Sequence, residues 1–376
     1  MIHDVIVIGG GISGASVAYE LAESSRVLVL EAETEPGYHS TARSAALFTR
    51  NYGGPVVRRI NAASAPFFEA PPDGFCDAAL LRPRGAVTVA DESSAGDLAP
   101  LLALSEPGHE VTPISAEEAV ARVPYLRPER VAAAIFEAGV MDIEVATLHQ
   151  GYLKGIVRRG GTILKGERVR ALHRQDGVWR VETARASHRG KTLVNASGAW
   201  AEDLGRMAGA LAIGLVPMRR TAIVVDAPDG MDVAAGPAVD FVASGAYIKP
   251  EAGRLMASPG DAIPTRPQDV RPEELDVARL ADWIQTETRI PVRRIVQSWA
   301  GLRSFVADEA PVVGFDPNVP DFFWLAGQGG YGIMMAPALA RFATGLMMGG
   351  SANLPTGHSL DARELSPHRL EARTSG

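Results

Sequence analysis

A chain of 376 residues exceeds one ordinary domain, so two domains are expected. Its net charge of −7, from 37 basic and 44 acidic residues, suits solubility and gives no support for nucleic-acid binding. The single cysteine, Cys76, excludes an intrachain disulfide and a cysteine-rich zinc site, and it fits a reducing cytoplasm.

The chain opens with Val5-Ile6-Val7-Ile8-Gly9-Gly10-Gly11-Ile12-Ser13-Gly14-Ala15-Ser16. Its β-branched run predicts a buried parallel strand, which the glycines turn into a helix over 12–23. Gly9 permits the tight turn, Gly11 admits backbone N–H groups to a pyrophosphate, and Gly14 lets the helix pack on the strand. A second strand, 26–31, ends in Glu31, where a ribose hydroxyl needs an acceptor. In that order these parts predict a dinucleotide site, beyond a generic strand–helix turn. The first apolar run is short and lacks a basic leader, so no signal peptide is expected.

Residues 36–46 are small and hydroxyl-rich, suited to backbone approach to a ligand. A helix is predicted over 58–68, closed by Pro71-Pro72-Asp73-Gly74, then extended chain over 80–90 broken at Pro83 and Gly85. Helices follow over 97–104 and 115–122, the second opened by a capping box of Ser115 and Glu118. Short strands at 132–136 and 139–142 lead to a helix over 145–159 that Gly160-Gly161 ends. Further strands are predicted at 162–164, 169–173, 179–182, 191–196, 222–225, 241–242, 247–249 and 295–302, with an amphipathic helix over 273–287. The apolar stretch 322–348 holds Gln328, a glycine pair, Pro337 and Arg341, so it reads as strand, turn and helix rather than a membrane span. The tail from Glu371 reads as frayed. The pattern predicts an α/β protein. A discontinuous Rossmann-like domain (1–84, 143–214, 306–376) would carry an α+β substrate domain with a mostly antiparallel sheet (85–142, 215–305), and a ligand would sit between them.

Four segments resemble the D-amino-acid oxidase (DAO) superfamily of FAD-dependent oxidoreductases. They are the first strand–helix–strand unit, the run Tyr38–Ala46, the turn Leu193–Trp200, and Trp299–Arg303 continuing through Asp308, Pro311 and Gly314 to Gly332. Within the superfamily the chain resembles most the bacterial D-arginine dehydrogenases and other catabolic D-amino-acid dehydrogenases, over nearly its full length. The resemblance implies non-covalent FAD and oxidation of a D-amino acid by hydride transfer from Cα to flavin N5, giving a 2-oxo acid and ammonia. It implies Glu31 and Ala32 at the adenosine ribose, and Gly9, Gly11, Ile12, Ser13 and Gly14 at the pyrophosphate. His39, Ser40, Thr41, Arg43, Ser44, Ala45 and Ala46 would run beside the phosphates and ribityl chain, and Val169 would meet adenine. Ala196, Gly198 and Trp200 would complete that wall, and Gly329, Gly330, Tyr331, Gly332, Ile333 and Met334 would open the last helix toward the flavin. That helix end carries about half a positive charge, which suits a reduced flavin.

Arg303 is the foremost substrate candidate, because a planar guanidinium matches a carboxylate with two parallel bonds. Arg220 is a second by family position, with Arg219 as its rival. Tyr52 and Tyr247 match tyrosines that contact the carboxylate, and the Gly330 carbonyl would take the amine. Surface salt bridges and core packing are the competing readings for these arginines and tyrosines. No residue stands out as a base; His39 reads as a loop residue beside the cofactor. The histidines form no cluster, so no metal is expected. Relatives that take cationic substrates have an acid where this chain has Ala86 and a histidine where it has Leu47, and here Ile333, Met334 and Met335 follow Gly332. An apolar or neutral side chain is therefore expected, Arg50 being the one residue that favours an acidic one. The competing functions are a glycine- or sarcosine-type amine oxidase using O2, a 2-hydroxy-acid dehydrogenase, and a flavin- or NAD-binding module without turnover. The electron acceptor is open (a quinone, a dye-like acceptor or O2). The location expected is cytoplasmic, or peripheral to the inner membrane.

Overall fold

In the computed structural model, residues 1–106, 108–350, 354 and 359–373 are described. The strand Ile2–Ile8 pairs in parallel with Val27–Glu31 on one side and Ser187–Asn195 on the other. Thr162–Lys165 borders Val27–Glu31, and Phe322–Ala326 borders Ser187–Asn195. With antiparallel additions at Val169–Gln175, Val178–Thr183 and Val312–Phe315, this sheet has eight strands among the described residues.

Both faces of the parallel strands are buried, as covered α/β sheets require. Side chains alternate across the sheet. Val5, Val7, Val27 and Val29 join a core with Leu21, Tyr152 and Phe342 from the helices Ile12–Leu21, Val145–Arg158 and Gly332–Met347. Ile6, Ile8, Leu28 and Leu30 face the opposite way, onto Trp179, Leu204 and Trp324.

Nine strands among the described residues form a second, mostly antiparallel sheet. One face packs Val87, Ile223, Val239 and Ile248 on Leu280 and Ile284 of the helix Glu274–Glu287. Residues of the opposite parity, such as Arg220, Ala222 and Tyr247, face the first sheet. A three-stranded sheet of Leu47–Phe48, Leu81–Pro83 and Met141–Ile143 lies where the chain passes between the two.

Most predicted elements form, and the differences have local causes. The helix expected over 97–104 is a 3-10 turn, Ala95–Leu98, and a short α-turn, Ala99–Leu102. The helix Ala201–Ala208 and the strands Arg254–Ser258 and Val312–Phe315 went unpredicted; each is short and takes its stability from packing. The tail does not fray at Glu371: Pro367–Arg373 is a 3-10 stretch, tied by Arg369 Nε to Asp308 Oδ2 at 2.9 Å. Residues 374–376 of that expectation lie outside the described residues. Cys76 is half-buried and donates to the Ala78 carbonyl at 3.2 Å. Among the described residues no helix is long and apolar enough to cross a membrane.

The Ser115 capping box closes as expected, with Glu118 N to Ser115 Oγ at 3.1 Å and Ser115 N to Glu118 Oε2 at 2.9 Å. Ser115→Ala is expected to cost about 1 kcal/mol. Urea unfolding of the two proteins measures it, and coincident midpoints would exclude the cap's contribution.

Candidate active site

A long cleft runs between the two sheets. At one end lie Glu31, Ala32, Arg168 and Val169; along it lie Gly9, Gly11, Ile12 and Ser13, His39–Thr41, Arg43, Ser44 and Ala196–Trp200; at the other end lie Arg220, Arg303, Gly329, Gly330, Gly332 and Ile333.

The glycine turn is held from several directions. Gly9 has φ +106°, and a Cβ there would lie 2.4 Å from the Ala196 carbonyl oxygen. A Cβ on Gly14 would lie 1.9 Å from the Gly9 carbonyl oxygen, so only glycine lets the helix meet the turn. Glu31 is buried, and its oxygens accept from Gly10 N at 2.7 Å and Glu33 N at 2.8 Å. Its carboxylate thus orders the turn while bordering the cleft, and its remaining lone pairs stay available to a hydroxyl. His149 Nε2 donates to the Gly10 carbonyl at 2.8 Å, and burial lowers its pKa, which favours the neutral ring. Thr41 Oγ1 accepts from Ile12 N at 3.0 Å at the start of the helix.

The segment 39–46 lines the cleft through His39, Ser40, Thr41, Arg43 and Ser44, and it also joins the two sheets. Ser40 Oγ donates to the Leu302 carbonyl at 2.6 Å. Arg43 borders the cleft, but its guanidinium is engaged by the Val270 and Ala300 carbonyls, each at 3.1 Å, and by Asp269. Ala45 and Ala46 lie outside the cleft walls; the Ala45 carbonyl accepts from Lys249 Nζ at 2.9 Å, and Ala46 adopts φ +57°. His39 pairs with Glu33 at 3.2 Å and stacks near Trp200 at 4.7 Å.

At the far end, Val216–Val225 and Gln297–Phe305 pair so that Arg220 stands opposite Gly301 and Met218 opposite Arg303. Alternation separates Arg220 from its neighbour. Arg219 points away from the cleft and is bound by Asp276 at 2.6 Å and by Glu273. Arg220 lines the cleft; its Nε donates to the Asp261 carbonyl and lies 3.9 Å from the nearer Asp261 carboxylate oxygen. Burial first, then the Arg303 charge, lower the Arg220 pKa. Among the described residues Arg303 forms no ion pair; its Nη2 donates to the Tyr247 hydroxyl at 3.3 Å. Two neighbouring guanidiniums with the single carboxylate of Asp261 beside Arg220 create a positive spot at this end of the cleft, where an anion is favoured.

Gly330 and Tyr52 complete this end. A Cβ on Gly330 would lie 3.5 Å from Arg303 Cδ and 3.6 Å from the Tyr52 hydroxyl. The Tyr52 ring stands 5.2 Å from the Tyr331 ring, and Tyr52 is 45 % exposed, so it borders solvent. Tyr331 packs against Tyr52 edge to face. The Met334 side chain is buried in the helix core, on the face that packs against the first sheet. Leu47 and Ala86 meet in one apolar cluster with Val140 and Ala238.

Sequence reasoning missed His149, Gln328, Ser304 and Met207. The last three line the cleft; Ser304 and Gln328 lie within the Trp299–Gly332 segment that carried the resemblance, and Met207 has no motif of its own. His149 had one signal, a lone polar position on the apolar face of its helix. Among the described residues no group of histidine, cysteine and carboxylate side chains could hold a metal.

The residues present fit a flavin dinucleotide. Gly9 and Gly14 admit no side chain, Glu31 borders the cleft where a ribose would lie, and the last helix opens beside Gly329 and Gly330. The family model for FAD dependent oxidoreductases (DAO) matches residues 4–346. Mouse (Mus musculus) mitochondrial dimethylglycine dehydrogenase is 25% identical over 389 residues, 97% of this chain but 44% of that protein, so the chain spans under half of this relative. Glycine oxidase of Geobacillus kaustophilus is 25% identical over 348 residues, 89% of this chain and 90% of its own. Among solved structures, L-proline dehydrogenase from P.horikoshii superposes with TM-score 0.85 at 23% identity, covering 99% of this chain and 98% of that one. With a family model spanning the first strand to the last long helix, the chain belongs to the DAO family of FAD-dependent oxidoreductases.

Proposed function

We propose that this protein is an enzyme that oxidatively deaminates D-amino acids, giving a 2-oxo acid and ammonia. The observation that carries the reading is Arg303 beside Arg220, Tyr247, Tyr52 and Gly330 at one end of the cleft. Bound FAD supplies a hydride acceptor there. Gly9–Ser13 and Glu31 would hold its pyrophosphate and ribose, and the opening of the Gly332–Met347 helix would face its ring.

The chain's own part is binding and orientation. Arg303 takes the substrate carboxylate through two parallel N–H bonds, and Arg220 adds charge. The Tyr247 hydroxyl fixes the guanidinium, and the Gly330 carbonyl accepts from the amine. Holding the Cα–H in one place replaces much of the work a base would do. His39 is paired with Glu33 and His149 with the Gly10 carbonyl, so both rings are engaged away from Arg303. The names of the relatives, glycine oxidase and dimethylglycine dehydrogenase, support an amine or amino acid as substrate. The apolar cluster of Leu47, Ala86, Val140 and Ala238 supports an aliphatic side-chain stem. The acceptor, whether quinone, dye-like compound or O2, is left to the same experiment.

The test is a panel of D- and L-amino acids and 2-hydroxy acids, added without air to the purified yellow protein. D-amino acids with aliphatic stems are expected to bleach the flavin and release ammonia, and the L-enantiomers to do neither. Bleaching by 2-hydroxy acids alone, without ammonia, would replace this reading. Admitting O2 or a dye afterwards tells oxidase from dehydrogenase.

A further inference from the structure

We propose that His149 is a positioning residue for the cofactor: it turns the peptide between Gly10 and Gly11 so that the Gly11 N–H is offered to the pyrophosphate of FAD. The inference rests on FAD as the cofactor and is independent of which substrate the cleft takes.

Three successive amides lead into the helix Ile12–Leu21, and their partners differ. Gly10 N donates to Glu31 Oε2 at 2.7 Å, and Ile12 N to Thr41 Oγ1 at 3.0 Å, so the protein itself occupies both. Gly11 N has no acceptor among the described residues, and Gly11 borders the cleft. An unpaired N–H at the start of a helix is a donor that suits an anion. Its direction is set by the peptide it belongs to. In a trans peptide the C=O of one residue and the N–H of the next lie in one plane and point opposite ways. His149 Nε2 donates to the Gly10 carbonyl at 2.8 Å from behind the cleft wall. The ring thus draws the carbonyl away from the cleft and aims the Gly11 N–H toward it.

The ring is itself held in place. His149 is 5 % exposed on the helix Val145–Arg158, whose Tyr152 and Ile156 share a core with Ala15 and Tyr19 of the helix that the glycine turn opens. Gly37 has φ +83°, and a Cβ there would lie 2.8 Å from His149 Cε1 and 3.1 Å from Nδ1, so the ring fills the space that Gly37 leaves. His149 therefore wedges the glycine turn apart from the turn that carries Thr41. A carbonyl only accepts, which places the proton of the neutral ring on Nε2, and burial favours that neutral ring. Between two glycines no side chain limits the rotation of the peptide. Gly10 is buried, so its carbonyl has no ready substitute for the imidazole donor. Removing that donor frees the peptide to turn, and the Gly11 N–H turns with it.

The test compares three substitutions by their affinity for FAD, read from flavin fluorescence as the holoprotein is diluted, with the thermal midpoint in excess FAD recorded beside it. His149→Phe keeps a ring and removes the donor. His149→Gln keeps an amide N–H at the reach of Nε2, and His149→Asn keeps one that falls short. His149→Phe and His149→Asn are expected to raise the Kd for FAD about tenfold or more, and His149→Gln to stay within about threefold of wild type. Rescue by glutamine is the mark of the bond, because a role in packing alone would favour phenylalanine. Where His149→Phe fails to fold, His149→Gln and His149→Asn carry the same comparison. Wild-type affinity in His149→Asn, equal losses in His149→Gln and His149→Asn, or a lowered thermal midpoint in these variants with no change in Kd would overturn the assignment.

Discussion

Arg303→Ala is expected to lower kcat/KM for the preferred amino acid roughly thirty- to several-thousand-fold, with FAD content unchanged. Truncating one partner of a desolvated charge pair costs about 2–5 kcal/mol, and each 1.4 kcal/mol is about tenfold. The loss should appear in both kcat and KM, because the guanidinium sets where the substrate sits as well as how tightly. Arg220 does not substitute for it: its Nε is engaged by Asp261, whose carboxylate already accepts from Thr221 N at 2.8 Å and Thr221 Oγ1 at 2.9 Å. Steady-state kinetics alongside the flavin absorbance of the purified variant make the check. Unaltered kinetics would exclude Arg303 as the anchor, and a colourless variant would show that the side chain serves the cofactor instead.

Gly14→Ala is expected to have the opposite signature, loss of cofactor before loss of chemistry. The new methyl would meet the Gly9 carbonyl oxygen at 1.9 Å, against backbone that has no side chain to swing aside. Relief requires moving the helix or the turn. Overpacking of this kind costs about 1–3 kcal/mol, which weakens FAD binding roughly five- to more than a hundredfold if the turn absorbs it. The measurement is FAD retained after dialysis, with the thermal midpoint recorded beside it. Full retention and an unchanged midpoint would mean that the turn is not held as tightly as these contacts require.

Much of this was legible in the residues. The glycine turn and its two flanking strands announce themselves, because backbone geometry there tolerates few alternatives. The capping box at Ser115 was readable for the same reason: it is local. Side-chain partners were harder. Glu31 looked like a ribose acceptor, but its oxygens also take Gly10 N and Glu33 N, a contact set by the curl of the chain after the strand. Arg43 borders the cleft, but nothing local announced that Asp269 and two carbonyls hold its guanidinium. Choosing between Arg219 and Arg220 needed the strand's parity, which proximity in sequence conceals.

The cleft takes its walls from residues far apart in the chain, from Ile8 to Ile333. On a ribosome the amino-terminal turn emerges first and must wait for Gly329, Gly330 and the following helix before the pocket has its last side. Until then Leu193–Asn195 present an unpaired strand edge that Phe322–Ala326 will later cover. A chain broken off ahead of that helix would therefore lack one wall of the cleft and leave a buried strand without its neighbour.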